Sequence, residues 1–214
     1  MKYSTYLFDF DGTLVDSMPT YVSVMLRILD ENGVSYSNDI IKTITPLGYL
    51  GTAKYYVEQL GLQMSVENIV ERMNKYAYDE YAHNIKAKEN VVETLIKLKD
   101  MGADLNVLTA SPHSVLDVCL KRLGIFDLFT NVWSCDDFDT TKADPQIYAA
   151  AAERIGESVG NILFLDDNYN ADKTAKSAGM KVCGVYDASS EEYTDEIQQV
   201  SHHYVYDLSE LLTL

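Results

Sequence analysis

The sequence lacks the features that mark membrane, secreted and disulfide-bonded proteins. No apolar run approaches the ~20 residues that a membrane-spanning helix requires. The amino-terminal segment becomes charged after only a few apolar residues, which is unlike a secretory signal. The three cysteines, at positions 119, 135 and 183, are odd in number and widely spaced, so neither a disulfide framework nor a zinc site is expected. These absences predict a cytoplasmic chain with reduced thiols.

Basic residues are also scarce. The chain has 17 lysines and arginines against 33 acidic residues, which gives a formal net charge of −16. A protein that binds the phosphate backbone of nucleic acid needs a basic stripe, and the sequence contains none. We therefore expect neither nucleic acid nor a membrane as a partner. Any anionic ligand would need positive charge supplied locally, by a metal ion, a lysine or backbone N–H groups.

Short apolar segments alternate with helical patterns along most of the chain. Proline and glycine mark the helices: Ser111 is expected to cap a helix starting at Pro112, Asp144 one starting at Pro145, and Asn170 to open a third. This alternation predicts an α/β fold, a doubly wound parallel sheet with a Rossmann-like core. The predicted strands are 4–10, 104–109, 131–134, 161–166, 181–185 and 203–206.

One stretch interrupts the alternation. From Met18 to about Ala87 the pattern is helical and contains no convincing strand. It predicts an inserted all-helical cap domain at 17–87, with the Rossmann-like core formed by 1–16 plus 88–214.

The strongest chemical signal is Asp9-Phe10-Asp11-Gly12-Thr13-Leu14, at the end of the first predicted strand. An aspartate is ionised at pH 7 and is a nucleophile without a helper base. Period-2 geometry projects Asp9 and Asp11 to the same side, and Gly12 permits a sharp turn. A second carboxyl so placed can protonate a leaving oxygen and later take a proton from water.

This motif and the strand–helix order resemble the haloacid dehalogenase-like hydrolase superfamily, in the helical-cap branch that includes phosphoglycolate phosphatases and β-phosphoglucomutase-like members. The resemblance extends over essentially the whole chain. It implies that Asp9 is the nucleophile and Asp11 the general acid/base. It further implies a Mg²⁺ cofactor held by Asp9, by the main-chain carbonyl of Asp11 and by Asp167.

The resemblance also implies a phosphate-binding group on two further segments. Thr109 closes the strand LNVLT, where its hydroxyl and neighbouring N–H groups would bind phosphate oxygens. The family often has asparagine at the next position, and this chain has Ala110, which leaves the contact to the backbone and to Ser111. Lys142, in TTKADPQIY, matches the phosphate-binding lysine and would offset repulsion between phosphate and Asp9.

Asp166 and Asp167 follow the strand NILFL. Adjacent carboxylates at a buried strand end are costly unless a hard cation binds them. By the family pattern Asp167 binds the metal directly, and we expect Asp166 behind it or on a metal-bound water. Asp172 either orients the loop or lies in a first helical turn. Crowding of these carboxylates predicts at least one raised carboxyl pKa when no cation is bound, and Asp11 is the best candidate because a raised pKa would help it start as an acid.

The cap is expected to close over the site and to select the leaving group. Gly48 and Gly51 are predicted to form a loop facing the catalytic residues. Tyr49 and Lys54 are the candidate substrate contacts of that loop.

These observations predict a Mg²⁺-dependent phosphatase that hydrolyses a small-metabolite phosphate monoester through an aspartyl-phosphate on Asp9. The chain is expected to be a monomer or weak homo-oligomer. A phosphomutase of the β-phosphoglucomutase type has the same first step and stays open, as does a catalytically silent phosphometabolite-binding protein. A dehalogenase, a phosphonate-cleaving enzyme and a signalling receiver domain fit the sequence less well.

Overall fold

The computed structural model describes residues 2–214, apart from the side chain of residue 46. The chain forms two compact units. One contains the residues up to Asp16 together with Lys86–Leu214, and the other is Ser17–Ile85. The second unit thus ends two residues before the predicted boundary at 87.

The larger unit is built on a six-stranded parallel sheet. Strands β1–β6 span Thr5–Phe8, Asp104–Thr109, Asn131–Ser134, Ile162–Asp166, Lys181–Val185 and His203–Val205. Their order across the sheet is β3-β2-β1-β4-β5-β6. The predicted fold class, a doubly wound parallel α/β sheet, is confirmed. The first strand is shorter than predicted and ends at Phe8 rather than Phe10.

Helices fill the connections between strands. Helices α1–α4 span Met18–Glu31, Ile40–Ile44, Gly48–Glu58 and Val66–His83 in the smaller unit. Helices α5–α9 span Val91–Asp100, His113–Arg122, Gln146–Ile155, Tyr169–Ser177 and Thr194–Val200 in the larger unit. Short 3-10 turns lie at Thr45–Leu47, Phe126–Leu128, Cys135–Phe138, Val159–Asn161, Ala188–Tyr193 and Leu208–Thr213.

Three predicted helix starts were each wrong by one residue. Helix α6 begins at His113, and Pro112 before it has extended backbone. Helix α7 begins at Gln146, after Pro145 rather than with it. Helix α8 begins at Tyr169 because the Asn168 side chain caps it, accepting N–H groups of the first turn.

The core of the larger unit fixes the strand ends in place. Leu7, Phe164 and Val182, from three neighbouring strands, are fully buried together with residues of α7 and α8. Tyr148 of α7 packs edge-on against Phe164, with ring centroids 5.1 Å apart. Tight packing of this kind gives the sheet a rigid carboxyl edge.

The Ser17–Ile85 unit has its own apolar core. Met25, Ile44, Tyr56 and Met73 are fully buried within it. The predicted loop at Gly48 and Gly51 is wrong, because both glycines lie in the first turn of α3. Among the described residues, no helix combines the length and apolar character needed to cross a membrane.

Candidate active site

The candidate site lies where the strand order reverses. Strand β1 sits between β2 and β4, so the connections on its two sides run in opposite directions along the sheet. Such a switch point opens a crevice outside the carboxyl ends of the strands. Asp9 directly follows β1, Asp166 ends β4, and Asp167 comes next. Neighbouring strand ends therefore bring together residues that are far apart in the sequence.

Three carboxylates converge at this point. Asp9, Asp166 and Asp167 each offer an oxygen, and these oxygens lie within 4.8 Å of one another. The three residues are 4%, 0% and 7% exposed, respectively. Carboxylate oxygens are the preferred ligands of hard divalent cations. Three buried carboxylates so close together are costly unless positive charge is added, so this donor set fits Mg²⁺.

Lys142 supplies a fixed positive charge to the cluster. Its Nζ donates to Asp9 Oδ1 at 2.6 Å and to Asp166 Oδ2 at 2.7 Å. The side chain is only 14% exposed, so solvent screens these ion pairs little. The Tyr148 hydroxyl donates to the Lys142 carbonyl at 3.0 Å and so anchors the backbone at Lys142. The structure thus brings Lys142 to Asp9, and binding of phosphate by Lys142 stays a prediction.

The electrostatics of the cluster favour protonation when no cation is present. Burial raises the pKa of Asp9 from 3.8 to about 7, against the lowering effect of Lys142. Burial, and then Asp166 and Asp9, raise the pKa of Asp167 well above its usual value. Burial lowers the pKa of Lys142, but Asp166 and Asp9 outweigh it and hold that pKa well above normal. A raised carboxyl pKa is therefore found at Asp9 and Asp167, and the expectation for Asp11 stays a prediction.

Asp11 occupies a separate position from the clustered carboxylates. Its Oδ2 accepts a short hydrogen bond from Ser111 Oγ at 2.5 Å. Ser111 was predicted to cap α6, and that prediction is wrong because its hydroxyl is directed to Asp11 instead. The hydrogen bond fixes the orientation of the carboxyl group that would exchange protons with substrate and water.

The predicted phosphate-binding residues lie at the end of the adjacent strand. Thr109 ends β2 and is buried, and its Oγ1 accepts the Ser111 N–H at 3.1 Å. Ala110 is exposed and its methyl group offers no hydrogen bond. A phosphate contact at residue 110 would therefore come from the backbone. The role of both residues stays a prediction.

Asp166 is already engaged by protein groups. Its Oδ2 accepts from Lys142, and its Oδ1 accepts the Asn168 N–H at 2.8 Å. Both carboxylate oxygens of Asp166 thus already have protein partners, and its predicted place behind the metal or on a metal-bound water stays a prediction. Asp172 lies in the first turn of α8 and is fully buried. Its Oδ2 accepts a hydrogen bond from Ser201 Oγ at 3.5 Å. Burial, followed by Asp166, raises the pKa of Asp172 well above normal and favours its neutral form.

Gly12 and Thr13 form a surface against Asp167. Gly12 has a φ of +78°, which favours glycine. A Cβ on Gly12 would lie 2.6–2.7 Å from the carboxyl atoms of Asp167. Thr13 Oγ1 donates to Asp167 Oδ1 at 3.3 Å. Gly12 and Thr13, which follow β1, thus form the surface against which the Asp167 carboxylate packs.

The predicted substrate contacts in the Ser17–Ile85 unit are both in α3. The Tyr49 ring stacks on Tyr21 at a centroid distance of 5.2 Å, and Lys54 is exposed. Contact of Tyr49 and Lys54 with substrate stays a prediction.

Sequence reasoning missed three supporting residues. Tyr148 holds the Lys142 carbonyl, Ser111 holds Asp11, and Lys88 binds the Gly12 carbonyl at 2.6 Å. The position of Tyr148 six residues after Lys142 was visible, but only the fold shows what its hydroxyl binds. No local pattern marks Lys88.

Comparison with known proteins gives the family. Residues 6–185 match the family described as haloacid dehalogenase-like hydrolase. The chain belongs to this family. The resemblance drawn from Asp9-Phe10-Asp11-Gly12 is therefore confirmed, and the chain is a member of a hydrolase family whose relatives carry phosphatase names.

Individual relatives of this haloacid dehalogenase-like hydrolase are moderately similar. Pyrophosphatase PpaX of Bacillus velezensis is 27% identical over 184 residues, which cover 86% of this chain and 83% of that protein. A phosphorylated carbohydrates phosphatase of Thermotoga maritima is 26% identical over 175 residues, covering 82% and 81%. The crystal structure of a predicted phosphoglycolate phosphatase from Haemophilus somnus has a TM-score of 0.83 at 23% identity and covers 100% of this chain and 98% of that one. The structural likeness confirms the fold.

Proposed function

We propose that this hydrolase is a Mg²⁺-dependent phosphatase that cleaves a small-metabolite phosphate monoester through an aspartyl-phosphate on Asp9. The observation that carries the proposal is the buried convergence of Asp9 and Asp167 with Lys142 hydrogen-bonded to Asp9. A buried carboxylate beside an ammonium group is suited to attack an anionic phosphate, because the lysine offsets the repulsion. The names of two relatives, a pyrophosphatase and a phosphorylated carbohydrates phosphatase, support phosphate release, and the second supports a phosphorylated carbohydrate as the kind of substrate.

The reaction would proceed in two displacements. In the first, a carboxylate oxygen of Asp9 attacks phosphorus, the bond to the ester oxygen breaks, and Asp11 gives that oxygen its proton. In the second, Asp11 takes a proton from water, the water oxygen attacks phosphorus, and inorganic phosphate leaves Asp9. Ser111 keeps Asp11 oriented in both steps through its 2.5 Å hydrogen bond.

The residues of the site fit a bound Mg²⁺. Asp9, Asp167 and the Asp11 carbonyl would hold it, with Asp166 behind them. Bound there, the cation would supply positive charge that favours the ionised form of Asp9 and attracts a phosphate oxygen. Without that charge, Asp9 would be protonated in a substantial fraction of molecules, since burial raises its pKa to about 7.

A substrate screen tests the proposal directly. Purified protein is incubated with a panel of phosphorylated metabolites, pyrophosphate and p-nitrophenyl phosphate, with and without Mg²⁺, and inorganic phosphate is measured. Release from monoesters only with Mg²⁺ is the expected result. Formation of an isomerised sugar phosphate without phosphate release would establish the phosphomutase. Binding of these compounds with no turnover would establish a silent binding protein.

Mg²⁺ should raise the melting temperature, and by more at pH 7.5 than at pH 5. Because the folded-state pKa of Asp9 is raised to about 7, its contribution to the stability of the metal-free fold is lost as pH rises from about 4 to about 7. The raised pKa of Asp167 acts in the same direction. A cation at a concentration of ~100 times its Kd stabilises the folded state by ~2.7 kcal/mol, which raises the melting temperature by roughly 5–10 °C. Differential scanning fluorimetry measures both shifts, and KCl of equal ionic strength controls for screening of the acidic surface. Equal shifts from Mg²⁺ and KCl would contradict the metal site.

Substituting Gly12 by alanine should reduce kcat on the order of 100-fold, because the new Cβ displaces the Asp167 carboxylate. Gly156→Ala is the matched control, since Gly156 has a φ of +82° and open space around a Cβ. Both variants carry about 1–2 kcal/mol of backbone strain, measured by urea unfolding. Equal kcat values in the two variants would show that the approach of Gly12 to Asp167 has no catalytic importance.

A further inference from the structure

Lys88 makes a set of contacts that the proposed reaction leaves unexplained. Its Nζ donates to the Gly12 carbonyl at 2.6 Å, to the Tyr186 carbonyl at 2.5 Å and to Asp187 Oδ2 at 3.0 Å. Its backbone N–H donates to the Leu14 carbonyl at 3.0 Å. A lysine ammonium has three N–H donors, and all three are used here. Lys88 therefore has no donor left for a substrate phosphate.

The three acceptors follow two strands that are not neighbours in the sheet. Gly12 follows β1, and Tyr186 and Asp187 follow β5, with β4 between them in the sheet. Lys88 thus spans the carboxyl end of β4, where Asp167 begins the loop to α8. The lysine side chain is 20% exposed and the Asp187 side chain 7%, so the connection is largely shielded from water.

The Gly12 carbonyl belongs to the peptide on which Asp167 rests. Gly12 approaches the Asp167 carboxyl group so closely that no Cβ fits, and Thr13, the other residue of that peptide, donates to Asp167 Oδ1. A peptide unit is planar, so fixing its carbonyl fixes the orientation of the whole unit. The ammonium of Lys88 therefore helps to fix the peptide whose two residues lie against Asp167.

Resting on the phosphatase function proposed above, we infer that Lys88 is a positioning residue for Mg²⁺ binding, which acts through the Gly12–Thr13 peptide to hold the Asp167 carboxylate in its binding orientation. Residues that orient metal ligands in this way typically change metal affinity by 10–100-fold when they are replaced.

A competing explanation is that Lys88 only compensates the charge of Asp187. Asp187 also accepts the N–H and the hydroxyl of Ser189, at 2.9 and 2.6 Å, so it has other partners besides the lysine. Removing the charges of Lys88 and Asp187 together distinguishes the positioning role from simple charge compensation. The Lys88→Met/Asp187→Asn double variant restores charge balance but leaves the Gly12 carbonyl without its ammonium.

The experiment compares Lys88→Met, the double variant and a Lys86→Met control, whose lysine is exposed two residues away. Mg²⁺ is titrated without substrate while the melting temperature is recorded, and kcat and KM are then measured for p-nitrophenyl phosphate. Both Lys88 variants should need at least about tenfold more Mg²⁺ at the midpoint. They should lose kcat at a fixed Mg²⁺ concentration with KM changed less than about twofold, because no substrate contact is removed. Lys86→Met should match the wild type.

Each other outcome has a definite meaning. A wild-type Mg²⁺ midpoint in Lys88→Met, in a protein whose parent releases phosphate, overturns the role of Lys88 and leaves the phosphatase intact. If the double variant restores the wild-type Mg²⁺ midpoint, the effect of Lys88→Met is due to charge compensation, and the positioning role of Lys88 is overturned. Loss of cooperative melting in both variants makes Lys88 a folding residue only. Absence of Mg²⁺-dependent melting in the wild type overturns the metal site itself.

Discussion

Asp9→Asn should abolish turnover, with kcat reduced on the order of 10⁴-fold or more, because the amide is not a nucleophile toward phosphorus. The substitution keeps the shape of the side chain, and Asp166 remains as a partner for Lys142. We therefore expect the fold to persist. Phosphate release under single-turnover conditions measures the loss, and circular dichroism with thermal melting checks the fold.

Asp100→Asn is the matched control for this prediction. Asp100 is exposed at the end of α5, so its variant should retain the wild-type kcat. Acid-quenched protein incubated with ³²P-labelled substrate should carry label in the wild type and none in Asp9→Asn. Turnover that survives in Asp9→Asn would end the covalent mechanism.

Lys142→Met should damage both activity and stability. The methionine is similar in length but leaves Asp9 and Asp166 buried without their ammonium partner, which costs about 3–5 kcal/mol of unfolding free energy. The repulsion between phosphate and Asp9 is no longer offset, so kcat/KM should fall on the order of 10²–10³-fold. Urea unfolding and steady-state kinetics measure the two losses.

The stability loss in Lys142→Met should depend on pH. The ammonium lowers the pKa of Asp9, so its removal raises that pKa further above its value in the unfolded chain. A raised folded-state pKa makes stability fall as pH rises, so the deficit should be larger at pH 8 than at pH 5. Lys97→Met, at an exposed position of α5, should lose little at either pH. A stability loss in Lys142→Met that does not vary with pH would contradict the lowering of the Asp9 pKa by Lys142.

Much of the sheet could be predicted because buried parallel strands have a clear local pattern. The bounds of β2, β3 and β5 agree with the predicted segments, since each is a short apolar run ended by polar residues. The convergence of Asp9 with Asp167 also followed from local information, because carboxyl ends of parallel strands meet at one edge. The first strand was predicted too long, since Phe10 is apolar and buried although the backbone turns after Asp9.

Contacts between distant segments could not be predicted in the same way. Ser111 looked like a helix cap because serine before proline usually is one, but Asp11, which comes from β1, binds its hydroxyl. Lys88 could not be singled out from the sequence, because its acceptors follow β1 and β5. For both Ser111 and Lys88, the role depends on a hydrogen bond to a residue far away in the sequence, which the neighbouring residues do not indicate.

The central place of β1 has a consequence for how the protein is made. Thr5 pairs with Asp104 on one side and with Ile162 on the other, so the first strand to leave the ribosome waits for most of the chain before both of its edges are covered. A nascent polypeptide that ends before Ile162 contains Asp9 but lacks Asp166 and Asp167, and one that ends before residue 142 lacks Lys142 as well. Under the proposed mechanism, Asp9 therefore gains the groups it needs only late in synthesis, and until then the uncovered edges of β1 can pair with another chain.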